Sequence, residues 1–269
     1  MPASGPDCVR YGGHTTCYSL ETDQGLLIVD AGTGIASLGA ELLKREHLPP
    51  MTLLFTHFHA DHLVGLPHFS CLYDPRCSLA VKADGTGFPD WIDRVHHFLA
   101  PPFWPVAVAE VPADVTFGEL DQDAWVEQGV RVSRCALNHP QPCLALRLET
   151  DARTIVIATD HEPGDPSVDE RLVDFCRGAH LLVADAQFSP EEMPAHRGWG
   201  HGSWESAAQL AREAGVGELI LTHHAPSRTD DEVDAWESAS REIFPATRAG
   251  RAGMTVQISA AHLQGHSAT

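Results

Sequence analysis

Apolar runs of strand length recur along this chain, and each stops at a residue able to bind a metal or move a proton. Leu26–Val29 ends at Asp30, and Met51–Thr56 ends at His57. Val130–Leu137, partly alternating through Arg131, Ser133 and Arg134, ends at Asn138 and His139, ahead of Pro140. Thr154–Thr159 ends at Asp160, Leu181–Ala184 at Asp185, and Glu218–Thr222 at His223. Apolar runs of this length indicate strands. Between them the spacing predicts helices over Ile35–Arg45, Asp169–Cys176 and Ser203–Ala214. The last has Ser203 as N-cap, Glu205 in its first turn, one face of Ala207, Leu210, Ala211 and Ala214, and Gly215 as the stop. Alternating strands and helices imply a layered α/β architecture, in which sites form on loops beyond the strand ends. Tyr73–Glu119, rich in Pro, His and aromatics, reads as a loop and helix excursion, and Met254–Ile258 as a last strand before a frayed tail.

The densest chemistry lies in one hexapeptide, His57, Phe58, His59, Ala60, Asp61, His62, directly after an apolar run. In extended chain, side chains two apart point the same way. His57 and His59 therefore reach one ion, and Asp61 and His62, past the bend, reach a second. Imidazole with carboxylate suits Zn²⁺, and also Mn²⁺ or Fe, so two divalent metals are expected, with zinc first.

Composition narrows the partners. The chain has 269 residues, 43% hydrophobic and 20% charged, and no stretch that reads as a linker, so a single globular domain over 1–269 is expected. There is no run of 18 apolar residues, and the first residues lack a secretory pattern; a soluble cytoplasmic protein without membrane contact is the expectation. The formal charge of −19 opposes long polyanions, whose phosphates need Lys and Arg, but is compatible with a small anion at a metal site. Seven Cys without a C-x-x-C pair fit reduced core thiols, not a disulfide frame or a thiolate cluster.

The ordered set His57-x-His59-x-Asp61-His62, then His139, Asp160 and His223, resembles the signature of the metallo-β-lactamase fold, from Tyr11 to about Ile258. The resemblance implies an αββα sandwich: two β-sheets with helices on the outer faces and a dinuclear site at one edge. By it, His57, His59 and His139 hold the first metal, Asp61, His62 and His223 the second, and Asp160 bridges them. Within the superfamily, Asp185–Phe188, Gly198–Glu205 and Leu221–Pro226 look like the branch of transfer-RNA 3′-processing ribonuclease Z and bacterial cyclic-nucleotide phosphodiesterases. Tyr11–Cys17, Asp30–Gly34 and Pro101–Pro105 are more like the phosphodiesterases. His14 stands where the branch has Asn, and Gly202 interrupts its His-Ser-Thr.

The implied reaction is attack on a small phosphodiester, such as a 3′,5′-cyclic nucleotide, by a bridging water whose pKa the two ions lower. His201 matches the branch's proton donor to the leaving alkoxide, with an extra ligand or a helix cap as alternatives. Asp185 is expected to orient it, and Asp61 counts as both ligand and catalytic residue. The runner-up is a transfer-RNA 3′ endoribonuclease, disfavoured by acidity and by the lack of a recognisable basic arm. A β-lactamase or thioesterase is third, and a metal-binding scaffold is the non-enzymatic alternative. A homodimer is common among relatives. His14, His161, His224, Phe103 and Trp104 are left unassigned, although an aromatic pair such as Phe103 and Trp104 suits either base stacking or packing. Asp30–Gly34 lacks the Lys and the Gly spacing of a phosphate loop and is read as a structural turn.

Overall fold

The computed structural model describes residues 2–257. These form two compact units, one built on His14–Val130 and the other on Ala3–Gly13 with the chain from Arg131 onward. Among the described residues no helix is long and apolar enough to cross a membrane.

The first unit holds a five-stranded sheet in the order β1 (Tyr18–Thr22), β2 (Gly25–Val29), β3 (Met51–Leu54), β4 (Ser78–Ala83), β5 (Asp114–Glu119). β1 and β2 form an antiparallel hairpin; β2 through β5 run parallel, with Ile28 beside Leu53 and Leu53 beside Val81. Parallel strands are covered on both faces, which is why β2 and β3 are largely apolar and fully buried. Helix α1 (Gly34–Leu42) buries Ile35, Gly39 and Leu42. A Cβ on Gly39 would stand 2.7 Å from Ser70 Oγ, so the close approach requires glycine. The one-turn helix α2 (Ala60–Leu63) follows β3, and α3 (Trp91–Phe98) sets Trp91 and Val95 into the core beside Leu53, Phe55 and Val81. Strand β6 (Ala124–Glu127) is tied to β3 by Thr52 Oγ1, which donates to Glu127 at 2.8 Å, and to β4 by the Lys82–Glu127 ion pair.

In the second unit the strands are ordered β12 (Thr247–Ala249), β11 (Leu219–Thr222), β10 (Leu181–Asp185), β9 (Thr154–Ala158), β8 (Leu144–Glu149), β7 (Val130–Ala136). β7, β8 and β9 are antiparallel; β9 through β12 are parallel, with Val156 beside Leu182 and Val183 beside Ile220. Helix α4 (Pro166–Cys176) starts at Asp165, whose carboxylate accepts from the amides of Ser167 and Val168 ahead of Pro166. Helix α5 (Trp204–Ala214) is capped by Ser203 and stopped by Gly215 in the left-handed conformation. Its buried Ala207, Ala208, Ala211 and Ala214 pack in one core with Leu182, Ala184, Leu219 and Leu221, small side chains letting the helix lie close to the sheet. Helix α6 (Asp230–Ile243) opens with a Thr229/Glu232 capping box, and Asp230 and Asp234 hold the N-terminal segment by accepting from the Arg10 amide and the Tyr11 hydroxyl.

Three expectations change. Tyr73–Glu119 contributes two sheet strands, β4 and β5, as well as α3, so it is not only loop and helix. The helix expected over Ile35–Arg45 ends at Leu42, and Leu43–Arg45 form turns. Residues 254–257 are not a strand, and the last strand among the described residues is the earlier β12; Ile258 and the expected frayed tail lie outside the described residues.

Candidate metal centre

In the first unit the site residues gather just past the C-terminal end of β3, where the buried run gives way to α2. His57 and His59 precede that helix, and Asp61 and His62 lie in it. His57 Nε2 stands 3.1 Å from His59 Nδ1, and the rings of His57 and His62 are 4.2 Å apart. Two nitrogens at this separation match ligands sharing one tetrahedral ion, for which bonds of about 2.0–2.1 Å imply roughly 3.4 Å. His62 Nε2 lies 3.8 Å from Asp61 Oδ2.

Asp30, in the sequence a strand-end residue that opens a structural turn, organises this group. Asp30 is fully buried at the end of β2, and its carboxylate accepts three hydrogen bonds, each 2.8 Å, from Thr56 N, Thr56 Oγ1 and His62 Nδ1. Because the Thr56 hydroxyl donates to Asp30, it accepts from His57 Nδ1 at 3.1 Å. Both imidazoles therefore carry their proton on Nδ1, and Nε2 is the lone-pair nitrogen that a metal needs. Asp30 adopts φ +62°, a region Asp tolerates better than most residues. The turn after it is crowded: a Cβ on Gly32 would stand 2.4 Å from Asp61 O, and one on Gly65 2.0 Å from Gly32 O. His14, on the exposed surface, sits 3.2 Å from Thr33 Oγ1.

The second unit presents His139 after β7, Asp160 after β9, Asp185 at the end of β10, His201 before α5 and His223 after β11. One ligand atom from each of Asp160, Asp185, His201 and His223 lies within 4.8 Å of the others. Asp185 is nearly buried, and four donors converge on it: Asp160 N (3.0 Å) and His201 Nδ1 (2.9 Å) on Oδ2, Gln187 N (3.0 Å) and Gly202 N (3.1 Å) on Oδ1. The glycine that departs from the branch pattern thus serves as a backbone donor to Asp185. His201 stacks on His223 at 5.0 Å and 19°, and His223 Nε2 is 3.4 Å from Asp160 Oδ1.

Neighbouring oxygens fix the ring orientations here too. His139 Nδ1 donates to the Gly200 carbonyl at 2.9 Å, and His223 Nδ1 to Gln187 Oε1 at 3.1 Å, so Nε2 again carries the lone pair that a metal could use. Burial holds the His139 pKa below its ordinary value, against the opposing pull of the Gly200 carbonyl and Asp160, which favours the neutral ring a metal requires. Asp160 and His223 have φ of +62° and +59°, a region that costs a non-glycine residue backbone strain, as Asp30 does in the first unit. Sequence reasoning missed Asp30, Gln187 and the Gly200 carbonyl because their partners lie 32, 36 and 61 residues away.

The residues left unassigned have other partners. His161 accepts from Asn138 N on Nδ1 and donates to Asp169 from Nε2, which occupies both nitrogens. His224 is enclosed near Ala186 O, Tyr11 and Trp236, and burial takes its pKa down to about 4. Trp104 donates to the Tyr73 hydroxyl at 2.7 Å, and Phe103 is exposed with its edge against His97. All seven cysteines are free, five of them buried. The donor chemistry fits divalent metals: imidazoles whose Nδ1 is held by a neighbouring oxygen at His57, His62, His139 and His223, with the carboxylates of Asp61 and Asp160.

Residues 26–224 match the family described as "Beta-lactamase superfamily domain". A ribonuclease Z of Mycobacterium sp. (strain KMS) is 28% identical over 264 residues, 88% of this chain and 83% of that protein. A ribonuclease Z of Brevibacillus brevis is 33% identical over 147 residues; the match takes in 52% of this chain and 42% of that protein, less than half its length. The crystal structure of the metallo-beta-lactamase fold protein YhfI from Bacillus subtilis superposes with a TM-score of 0.68 at 18% identity, over 91% of this chain and 95% of that one.

Proposed function

Because the chain belongs to the metallo-β-lactamase superfamily of hydrolases and has its fold, we propose that it is a metal-dependent phosphodiesterase acting on a small phosphodiester, 3′,5′-cyclic nucleotides first among them. In this reading His57, His59 and His139 would hold one divalent ion and Asp61, His62 and His223 a second, with Asp160 available to both; zinc would suit this donor set best, with manganese or iron next. The ions supply, when bound, a water acidified towards neutral pH and compensation for charge on the phosphoryl oxygens.

The protein's own groups do the rest. Asp185 accepts a hydrogen bond from His201 Nδ1 at 2.9 Å, which fixes the orientation of the ring and leaves Nε2 for the substrate. Nε2–H is then the proton given to the departing alkoxide. The same carboxylate oxygen accepts the Asp160 amide at 3.0 Å, so one buried anion orients both the bridging ligand and the acid. This shared anchor carries the proposal, because a purely structural metal site closes its coordination and has no use for a proton donor. A net charge of −19 favours a small substrate over a long polyanion.

The names of the relatives favour a second reading, cleavage of a transfer-RNA precursor at its 3′ end. Metal-loaded protein assayed on bis(p-nitrophenyl) phosphate, then on 3′,5′-cyclic AMP and a transfer-RNA precursor, separates the two. Turnover of the cyclic nucleotide without cleavage of the precursor supports the first, the converse supports the second, and no turnover of any phosphodiester sinks both. His201→Ala should cut turnover on bis(p-nitrophenyl) phosphate by about 10²–10⁴-fold with metal content near wild type. Loss of metal in that variant would make His201 a ligand instead.

A further inference from the structure

An exposed indole, two residues before the candidate proton donor in the chain, is held from both sides. Trp199 lies in the loop between β10 and α5 and is 58% exposed, whereas Trp91 and Trp236 are buried. Both flanking residues are glycines of positive φ, +82° at Gly198 and +86° at Gly200. Their amides donate to the two carboxylate oxygens of Glu162, each at 2.8 Å. Glu162 is itself pinned, its amide donating to the Asn138 carbonyl at 2.9 Å and its carbonyl accepting from Asn138 Nδ2 at 2.7 Å. Gly200 also offers its carbonyl to His139.

The inner side of the loop is equally fixed. Phe188 is nearly buried and stacks on His196 at 4.1 Å, His196 meets Trp199 edge-on at 4.8 Å, and Phe188 lies 6.2 Å from His201 and 6.4 Å from Trp199. Glu192, four residues before His196, is gripped by Arg228, whose guanidinium lies 4.1 Å over Trp236. A large apolar side chain left in water yet braced by five residues is preorganised for contact, so little ordering cost remains when something packs on it.

We propose that Trp199 is a specificity-determining residue of this site: an aromatic group of the substrate, such as a nucleobase, packs on its indole while the phosphodiester reaches His201. The proposal rests on the phosphodiesterase reading for its substrate class. Base-on-aromatic stacking sets the expected effect at about 5- to 100-fold, with little demand on which base is present.

The test compares wild type, Trp199→Ala and Trp199→Phe in metal-loaded protein. The substrates are 3′,5′-cyclic AMP and glycerol cyclic 1,2-phosphate, which has no aromatic group. The ratio of kcat/KM for the nucleotide over the glycerol ester should fall about 5- to 100-fold in Trp199→Ala, mainly through KM, and be largely restored in Trp199→Phe. An equal loss on both substrates leaves the ratio unchanged, marks Trp199 as a structural residue and overturns the proposal. A second arm needs no turnover: adenosine 5′-monophosphate should quench indole emission saturably in wild type, and its Kd, measured by titration calorimetry on both proteins, should be raised by a similar factor in Trp199→Ala. If wild type hydrolyses neither ester, the phosphodiesterase reading fails and this binding arm alone decides. Absence of saturable quenching, or an unchanged Kd in Trp199→Ala, overturns the role of Trp199.

Discussion

Replacing Asp30 by Asn isolates what a buried carboxylate does for the metal centre. The amide has the same shape, and Asn tolerates a φ near +62° as well as Asp does, so the backbone gains no strain. If the Asn oxygen keeps the Thr56 amide, its NH₂ faces Thr56 Oγ1 and His62 Nδ1, both of which now donate to Asp30 Oδ2. Hydrogen bonds to a charged acceptor contribute roughly 1.5–3 kcal/mol each. With one of the two recovered by hydroxyl rotation, the metal-free fold should lose roughly 2–3 kcal/mol. His62 recovers its bond only by moving its proton to Nε2, which removes the lone pair a metal would use. Loss of such an anchoring partner typically costs 10- to 100-fold in affinity, about 1.4–2.8 kcal/mol. Competition with a chromophoric zinc chelator near neutral pH measures the affinity, and urea titration of the metal-free protein measures the stability. Metal affinity within threefold of wild type, beside the expected loss of stability, would refute the link from Asp30 to the ligand nitrogen.

Two further outcomes follow from the packing. A Cβ on Gly200 would lie 2.1 Å from His139 Nδ1 at a φ of +86°, so Gly200→Ala should lower both the melting temperature and zinc binding, checked by calorimetry and metal analysis; wild-type values in both would show that the loop yields at no cost. Burial pushes the Cys17 and Cys176 thiols up to about 12, so near pH 8 they remain protonated and unreactive, while the denatured chain exposes all seven thiols. Titration with a chromogenic disulfide should find Cys8 as the fast thiol of the native protein, and rapid reaction at Cys176 would contradict the described core.

How much of this was legible in the sequence depended on whether a signal was local. β2, β3, β9, β10 and β11 were visible because parallel strands covered on both faces are largely apolar, and their ends carried the chemistry. β4 and β5 were not, since Lys82 and Gly118 interrupt short stretches whose burial alternates or is only partial. Helix α6 announced itself in the Thr229–Glu232 capping box and in Val233, Trp236 and Ser240 on one face, a readable signal that was passed over. The hexapeptide stood out because its ligands are adjacent in sequence. Asp30 and Glu162 did not, because an acceptor for a histidine 32 residues on, or for two glycine amides 36 and 38 residues on, has no local pattern to mark it. The positive φ values at Asp160 and His223 likewise arise from the fold around them.

The central claim is that the ligand set serves a two-ion hydrolytic centre. Metal-free protein titrated with Zn²⁺, or with Mn²⁺ in parallel, should bind two ions per chain by elemental analysis, with hydrolysis of bis(p-nitrophenyl) phosphate rising as the second equivalent binds and lost again on chelation. Saturation at one ion with full activity, or hydrolysis undiminished after both ions are stripped, would contradict it.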